Sequence, residues 1–175
     1  MNEENKVRCI DIEIHIMRTF DIRRNIIVPN VTDISGLLAF EADMIVLSQN
    51  GYATGFEIKF SKGDLKADLK KKHIKRLNEF RLGAKTSLEF YFQKFKYFNY
   101  AVPIHLQDEA LKQIPDFCGL WVLDKQPYPA IPKFTEVREA KKLFDYKWSI
   151  EQQLSLARLG TMRILSLKEG ISYRN

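Results

Sequence analysis

Phe40-Glu41-Ala42-Asp43-Met44-Ile45-Val46-Leu47 and, after Asn50-Gly51, Tyr52-Ala53-Thr54-Gly55-Phe56-Glu57-Ile58-Lys59 read as two aliphatic strands joined by a tight turn. Asn-Gly is the strongest short-range hairpin signal, because a type I′ turn needs positive φ at both central positions and these residues tolerate it. A hairpin spanning 37–60 follows, with Asp43 brought beside Glu57 and Lys59. Side chains two apart on a strand share a face, so Glu57 and Lys59 point one way while Phe56, Ile58 and Phe60 point the other.

Two carboxylates at such a junction can hold a hard divalent cation, and an ammonium beside them can orient a water or offset charge developing on a phosphate. The pattern therefore points to a metal-dependent phosphodiesterase. Glu-x-Lys by itself carries little information, since it occurs at Glu4-Asn5-Lys6, Glu57-Ile58-Lys59 and Glu139-Ala140-Lys141. Only the middle copy ends a strand-like run, follows an Asp on a partner strand and precedes a strongly basic segment. The plain alternative is three solvent-facing charges on a half-exposed hairpin.

Charge distribution favours the chemical reading. Eight basic residues lie between Lys59 and Arg76 against only Asp64 and Asp68, an excess as large as the +6 of the whole chain. Positive potential concentrated next to the acidic pair suits an anionic polymer, with Lys62, Lys66, Lys70, Lys71, Lys72, Lys75 and Arg76 as candidate nucleic-acid contacts. The alternative is a solvated helix face with Asp68 and Lys72 paired at i,i+4. Ser61-Lys62-Gly63-Asp64 has the form of a helix N-cap, opening a helix to about Leu82 with Leu65, Leu69, Leu77 and Phe80 as its buried stripe. That helix N-terminus is expected near the carboxylates, where its unpaired N–H groups would favour a phosphate. His73 falls on the same stripe as a packing residue. His15 and His105 stand apart from other metal-ligating types, which argues against a histidine mechanism.

Cys9 to Phe20 alternates isoleucines and could be a strand by periodicity alone. Laid on a helix, it collects Asp11, His15, Arg18 and Thr19 on one side and Ile10, Ile14, Ile16, Met17 and Phe20 on the other. Glu13 then sits within the apolar arc, a costly place for a carboxylate unless it meets a cation or hydrogen-bond donors. Glu13 is accordingly a candidate further acid, or else a partly exposed strand residue.

Asp43 followed by Glu57-Ile58-Lys59 on the next strand and then a helix resembles the PD-(D/E)XK nuclease superfamily. The stretches Glu41-Ala42-Asp43, Asn50-Gly51-Tyr52 and Glu57 through Asp68 look like small stand-alone phage and bacterial members, and among named subgroups like MmcB-like DNA repair proteins. Asn99-Tyr100-Ala101-Val102-Pro103 and Gly119-Leu120-Trp121-Val122 look like that family's later core strands. The resemblance implies a restriction-endonuclease-like α/β fold, a central mixed sheet flanked by helices. It implies Asp43 and Glu57 as metal ligands, with the Ile58 carbonyl as a third, and Lys59 serving the attacking water. Glu13 would match the acid many members carry on the first helix. Glu41, on the strand face of Asp43, would be an additional acid or a supporting partner. Ala42 stands where the family usually has Pro. The activity implied is Mg²⁺- or Mn²⁺-dependent hydrolysis of DNA phosphodiester bonds in repair, recombination or phage DNA processing, with RNA as another possible substrate. A non-catalytic nucleic-acid-binding module on the same scaffold is the alternative, and a homo-oligomer or a protein partner docking on the C-terminal helix is a third reading.

At 175 residues and 45% hydrophobic composition, the chain suits one domain, with its core in about 9–124 and a C-terminal extension. Cys9 and Cys118, far apart, suggest a buried reduced pair and neither disulfide nor zinc. A polar N-terminus and the lack of an apolar run of about 20 residues fit a cytoplasmic protein without a membrane anchor. Helices are expected at 9–23, 106–113 and 147–168, the last capped by Ser149. Strands are expected at 26–28, 97–103 and 119–123, and a stiff exposed connector at 124–132. In Phe90 to Phe98, rings alternate with lysines. That pattern suits base stacking, but more simply a core strand with snorkelling lysines.

Overall fold

Runs of β-branched and aromatic residues build one mixed sheet whose six strands lie in chain order. The computed structural model describes residues 7–31, 37–70, 92–125 and 131–172. After α1 (Cys9–Thr19) come β1 (Ile26–Val31), β2 (Ala42–Leu47), β3 (Ala53–Ile58) and α2 (Lys62–Leu69). There follow β4 (Phe95–Pro103), a 3₁₀ turn (Ile104–Leu106), α3 (Gln107–Gln113), β5 (Gly119–Asp124), β6 (Lys133–Arg138) and α4 (Ile150–Ser172). Pairing is antiparallel for β1–β2 and β2–β3, parallel for β3–β4 and β4–β5, and antiparallel again for β5–β6. Parallel pairing requires a crossover, and α3 supplies the one between β4 and β5. Pro29, which cannot donate to a ladder, is accommodated because β1 is an edge strand.

Alternating side chains of each strand feed two cores. Leu65 of α2, Ala110 of α3 and Leu156 of α4 pack with Ala53, Phe98, Tyr100 and Val102. Ile12 and Ile16 of α1 pack with Met44, Phe56, Ile58 and Ala101. The rings of Phe92, Phe95 and Phe98 are fully buried and cluster with Phe40, so the part of the aromatic run within the described residues is core; residues 90–91 lie outside them. Its lysines are turned to the protein: Lys94 donates to the Leu37 carbonyl, and the Lys96 ammonium lies 4.1 Å from the centre of the Tyr52 ring.

The hairpin forms with a different turn from the one expected. The Gly51 N–H donates to the Ser48 carbonyl at 2.8 Å and the Ser48 N–H to the Tyr52 carbonyl at 3.0 Å, while Gly51 has φ +80° and Asn50 is not in the positive-φ region. The loop is thus a four-residue turn closed by a left-handed glycine, which relieves Asn50 of the strain a type I′ turn would impose. Trp148 fastens it: its backbone N–H donates to the Gly51 carbonyl and its indole N–H to the Lys94 carbonyl, both at 2.8 Å.

Other expectations are corrected or confirmed locally. Of the connector expected at 124–132, Asp124 ends β5 and 126–130 lie outside the described residues; β6 follows, an unexpected edge strand whose side chains are mostly exposed. On α1 the buried stripe is Ile12 and Ile16, whereas Ile10 is exposed. Cys118 is buried but Cys9 is exposed, so they are not a buried pair. Ser149 caps α4 as expected: its hydroxyl accepts from the Gln152 N–H while the Gln152 side chain accepts from the Ser149 N–H. Leu77, Phe80, His73 and the continuation of α2 toward Leu82 lie outside the described residues. Among the described residues no helix is long and apolar enough to cross a membrane.

Gly55 of β3 lies against the aromatic cluster, where a Cβ would stand 2.7 Å from the Phe98 ring and 2.9 Å from that of Phe95. Both rings are packed on all sides, so Gly55→Ala should destabilise the chain by about 1–3 kcal/mol, measured by denaturant unfolding.

Candidate active site

Strand register brings the acids together. Met44 pairs with Phe56, so the next step toward the open end of the hairpin sets Asp43 across from Glu57. Glu57 is in turn the register partner of Tyr100 on β4. Asp43, Glu57 and Tyr100 form a row over three strands on the sheet face that α2 covers. The row lies at the carboxyl end of β3, between its antiparallel neighbour β2 and its parallel neighbour β4.

Lys59 follows directly, and its backbone N–H donates to the Ala101 carbonyl at 3.1 Å. Its ammonium lies 2.6 Å from Glu57 Oε2, 3.4 Å from Asp68 Oδ1 and 3.6 Å from Asp43 Oδ2. Asp43 Oδ2 also accepts the Ile58 N–H at 2.7 Å. Tyr100 Oη donates to Asp68 Oδ2 at 2.7 Å. Glu57 and Asp68 are each 1% exposed, whereas the Asp43 side chain keeps 31% of its surface. The cluster is therefore buried and opens to solvent past Asp43. Neither Glu57 nor Lys59 is the solvent-facing charge of the plain reading.

Asp68 is buried, so the solvated helix face of the alternative reading does not hold at this residue, while Lys72, its expected i,i+4 partner, lies outside the described residues. Asp68 sits one turn after the fully buried Leu65, on the inward side of α2. Asp68 and Tyr100 were missed as site residues. The available signal was an aspartate three residues after a stripe leucine, the position of an inward-facing acid.

Glu13 and Glu41 are not drawn into the cluster. Glu13 is half-buried and accepts from the Cys9 thiol at 3.5 Å; Glu41 is exposed just before β2. Although Cys9 as a residue is exposed, partial burial of its thiol and then the neighbouring Glu13 push it up to about 12. Of the basic candidates, Lys62, Lys66 and Lys70 are exposed along α2, with Lys62 paired to Glu109 at 3.0 Å. Lys71, Lys72, Lys75 and Arg76 lie outside the described residues. Ser61 caps α2 by accepting the Asp64 N–H at 3.0 Å.

Three carboxylates share one ammonium, and the electrostatics reflect that excess. Glu57 is raised to about 8 by burial and by the charge of Asp43, only partly opposed by Lys59. Lys59 is held above its ordinary value, since Glu57, Asp68 and Asp43 outweigh its own burial. Glu57 Oε1 is buried and has no hydrogen-bond partner among the described residues. Among the described residues no group of three or more His, Cys, Asp or Glu is set to hold a metal ion. Mg²⁺ and Mn²⁺ do not need one: they prefer hard oxygens and are commonly held by one or two carboxylates, with water and substrate phosphate completing the shell. An orphaned carboxylate oxygen in a net-negative pocket fits such an ion.

No protein-family model matches this sequence, and no curated protein matches it. Among solved structures it is similar to SPO1766, a protein of unknown function from Silicibacter pomeroyi, with 15% identity, a TM-score of 0.53, and coverage of 90% of this chain and 86% of that one. At that identity the likeness speaks for the fold alone.

Without divalent ions, a folded state that keeps a proton on Glu57 near pH 8 binds more protons than the unfolded chain, whose glutamate ionises near 4.5. Stability from this group is full below pH 4.5 and is lost as pH rises toward 8. Thermal unfolding in chelator should show the melting temperature falling over that interval, with a flatter slope in Glu57→Gln. Lys59 contributes no slope there, because its shift acts at higher pH.

Proposed function

We propose that this chain is a Mg²⁺- or Mn²⁺-dependent nuclease that hydrolyses DNA phosphodiester bonds, a member of the PD-(D/E)XK superfamily with a restriction-endonuclease-like arrangement of its sheet. The observation carrying the reading is that Asp43 and Glu57, from adjacent strands, present carboxylates to one side of the sheet, with the Lys59 ammonium within 3.6 Å of the first and 2.6 Å of the second. Asp43 and Glu57 would hold the ion, with the Ile58 carbonyl as a third oxygen. Bound there, a divalent ion supplies positive charge to the phosphate and acidifies water near it.

The chain's own groups account for the rest. Ile58 N–H fixes the Asp43 carboxylate through Oδ2, so that acid is oriented before any ligand arrives. Asp43 is the partly exposed member of the cluster and marks the side from which a phosphodiester approaches. Lys59 carries a proton at neutral pH and donates hydrogen bonds, so it orients the attacking water and offsets charge growing on the phosphate oxygens. Lys62, Lys66 and Lys70 supply contacts to the flanking backbone phosphates, which position the strand without reading its sequence.

One observation favours a second reading. The ammonium already bridges the acids, as it would in a permanent ion network serving a non-catalytic nucleic-acid-binding module. Incubation of the purified protein with single-stranded, duplex and branched DNA in Mn²⁺ separates the two. Cleavage should appear with the metal and drop by on the order of 10²-fold or more in Asp43→Ala and Glu57→Ala. Equal cleavage by those variants rules the site out, and metal-independent binding that weakens with salt, unaffected by Asp43→Ala, selects the binding module.

A further inference from the structure

Lys59 has a long, flexible stem, and a lysine beside a single acid would follow that acid wherever it went. Here its ammonium is shared with Asp68, which comes from a different element and is itself held. Asp68 is 1% exposed, and its Oδ2 accepts the Tyr100 hydroxyl at 2.7 Å while its Oδ1 stands 3.4 Å from Lys59. Tyr100 is fully buried beneath α2, its ring edge-on to Phe98 at 6.2 Å, so the hydroxyl has a fixed direction. A buried carboxylate is costly unless cations or hydrogen-bond donors meet it. Lys59 and Tyr100 are among the partners of Asp68.

We propose that Asp68, anchored by Tyr100, is a positioning residue for Lys59, keeping the ammonium in the site when a divalent cation takes the oxygens of Asp43 and Glu57. This rests on the nuclease reading for its purpose, though not for its geometry. A cation drawn to Glu57 competes with the 2.6 Å contact from Lys59. Without a third acid the ammonium would be repelled from the cation and swing away. With Asp68 on the far side of Lys59, the ammonium retains an anion and stays within reach of the reacting phosphate. Tyr100 keeps Asp68 from turning to meet the cation itself.

The test uses the full chain with ¹⁵N-labelled lysine and two readouts in wild type, Asp68→Asn and Tyr100→Phe. The first is the resolved ¹⁵N–¹H signal of a held Lys59 ammonium, assigned by its loss in Lys59→Arg. It should survive addition of Mg²⁺ in wild type and broaden away on that addition in Asp68→Asn. The second is DNA cleavage: kcat should fall about tenfold in Asp68→Asn, and less in Tyr100→Phe, with KM within about twofold, the size expected for a residue that orients another. Tyr100→Phe leaves the ring packing and the Asp68 charge in place, so it carries the test if Asp68→Asn does not fold. Wild-type kcat and a persistent ammonium signal in folded variants overturn the proposal. If wild type cleaves no DNA but the signal in Mg²⁺ depends on Asp68, the positioning role stands and the nuclease reading falls.

Discussion

The arrangement of the site depends on one buried electrostatic constraint, a single ammonium shared by three carboxylates at the end of β3. Charges taken out of water are tolerated only when each meets a partner, and removing one partner from such a set leaves an uncompensated charge in a poor solvent. That requirement fixes more than side-chain rotamers. It demands that β2, β3, β4 and α2 meet at one point, because Asp43, Glu57, Tyr100 and Asp68 come from four different elements. A one-residue slip of β3 would turn Glu57 and Lys59 toward α1 and its apolar core, so the register of the sheet and the existence of the cluster are the same fact.

The remainder of the molecule reads as the means of holding that register. Its far end is tied by Trp148, which reaches both the turn of the hairpin and the start of β4. Aromatic rings from β4 fill the space beside Gly55, a position kept open by the lack of a side chain. On the outer edge, Gly160 of α4 lets the helix settle against Val28, and Arg163 donates to the Asn30 carbonyl. Hydrophobic burial thus supplies the rigidity, while the acids and lysine use it. The excess of negative charge that raises Glu57 is a strain this packing withstands.

Much of this was legible in the chain. The hairpin, the mixed sheet, the capped helices at Ser61 and Ser149, and the pairing of Asp43 with Glu57 and Lys59 all follow from local pattern, because turn residues and strand alternation act over a few positions. Asp68 and Tyr100 did not follow. An aspartate in a lysine-rich helix looks solvated until one knows which side of that helix meets the sheet, and a tyrosine among strand residues looks like core until its hydroxyl has a partner. β6 escaped for a related reason: an edge strand exposed on most of its surface lacks the apolar alternation that marks a buried one. Glu13 and Glu41 are the reverse case, acids with the right neighbours in sequence that the folded chain leaves apart from the cluster.

By itself, then, the sequence determined the hairpin, the capped helices and the residues two strands bring face to face, since those depend on backbone preferences and a period of two. Only the tertiary structure decided which acids complete the site, how deeply they are buried and whose proton is held. Those properties arise from long-range packing of α2 over β3 and β4, where desolvation and the summed field of distant residues set the charge of each group.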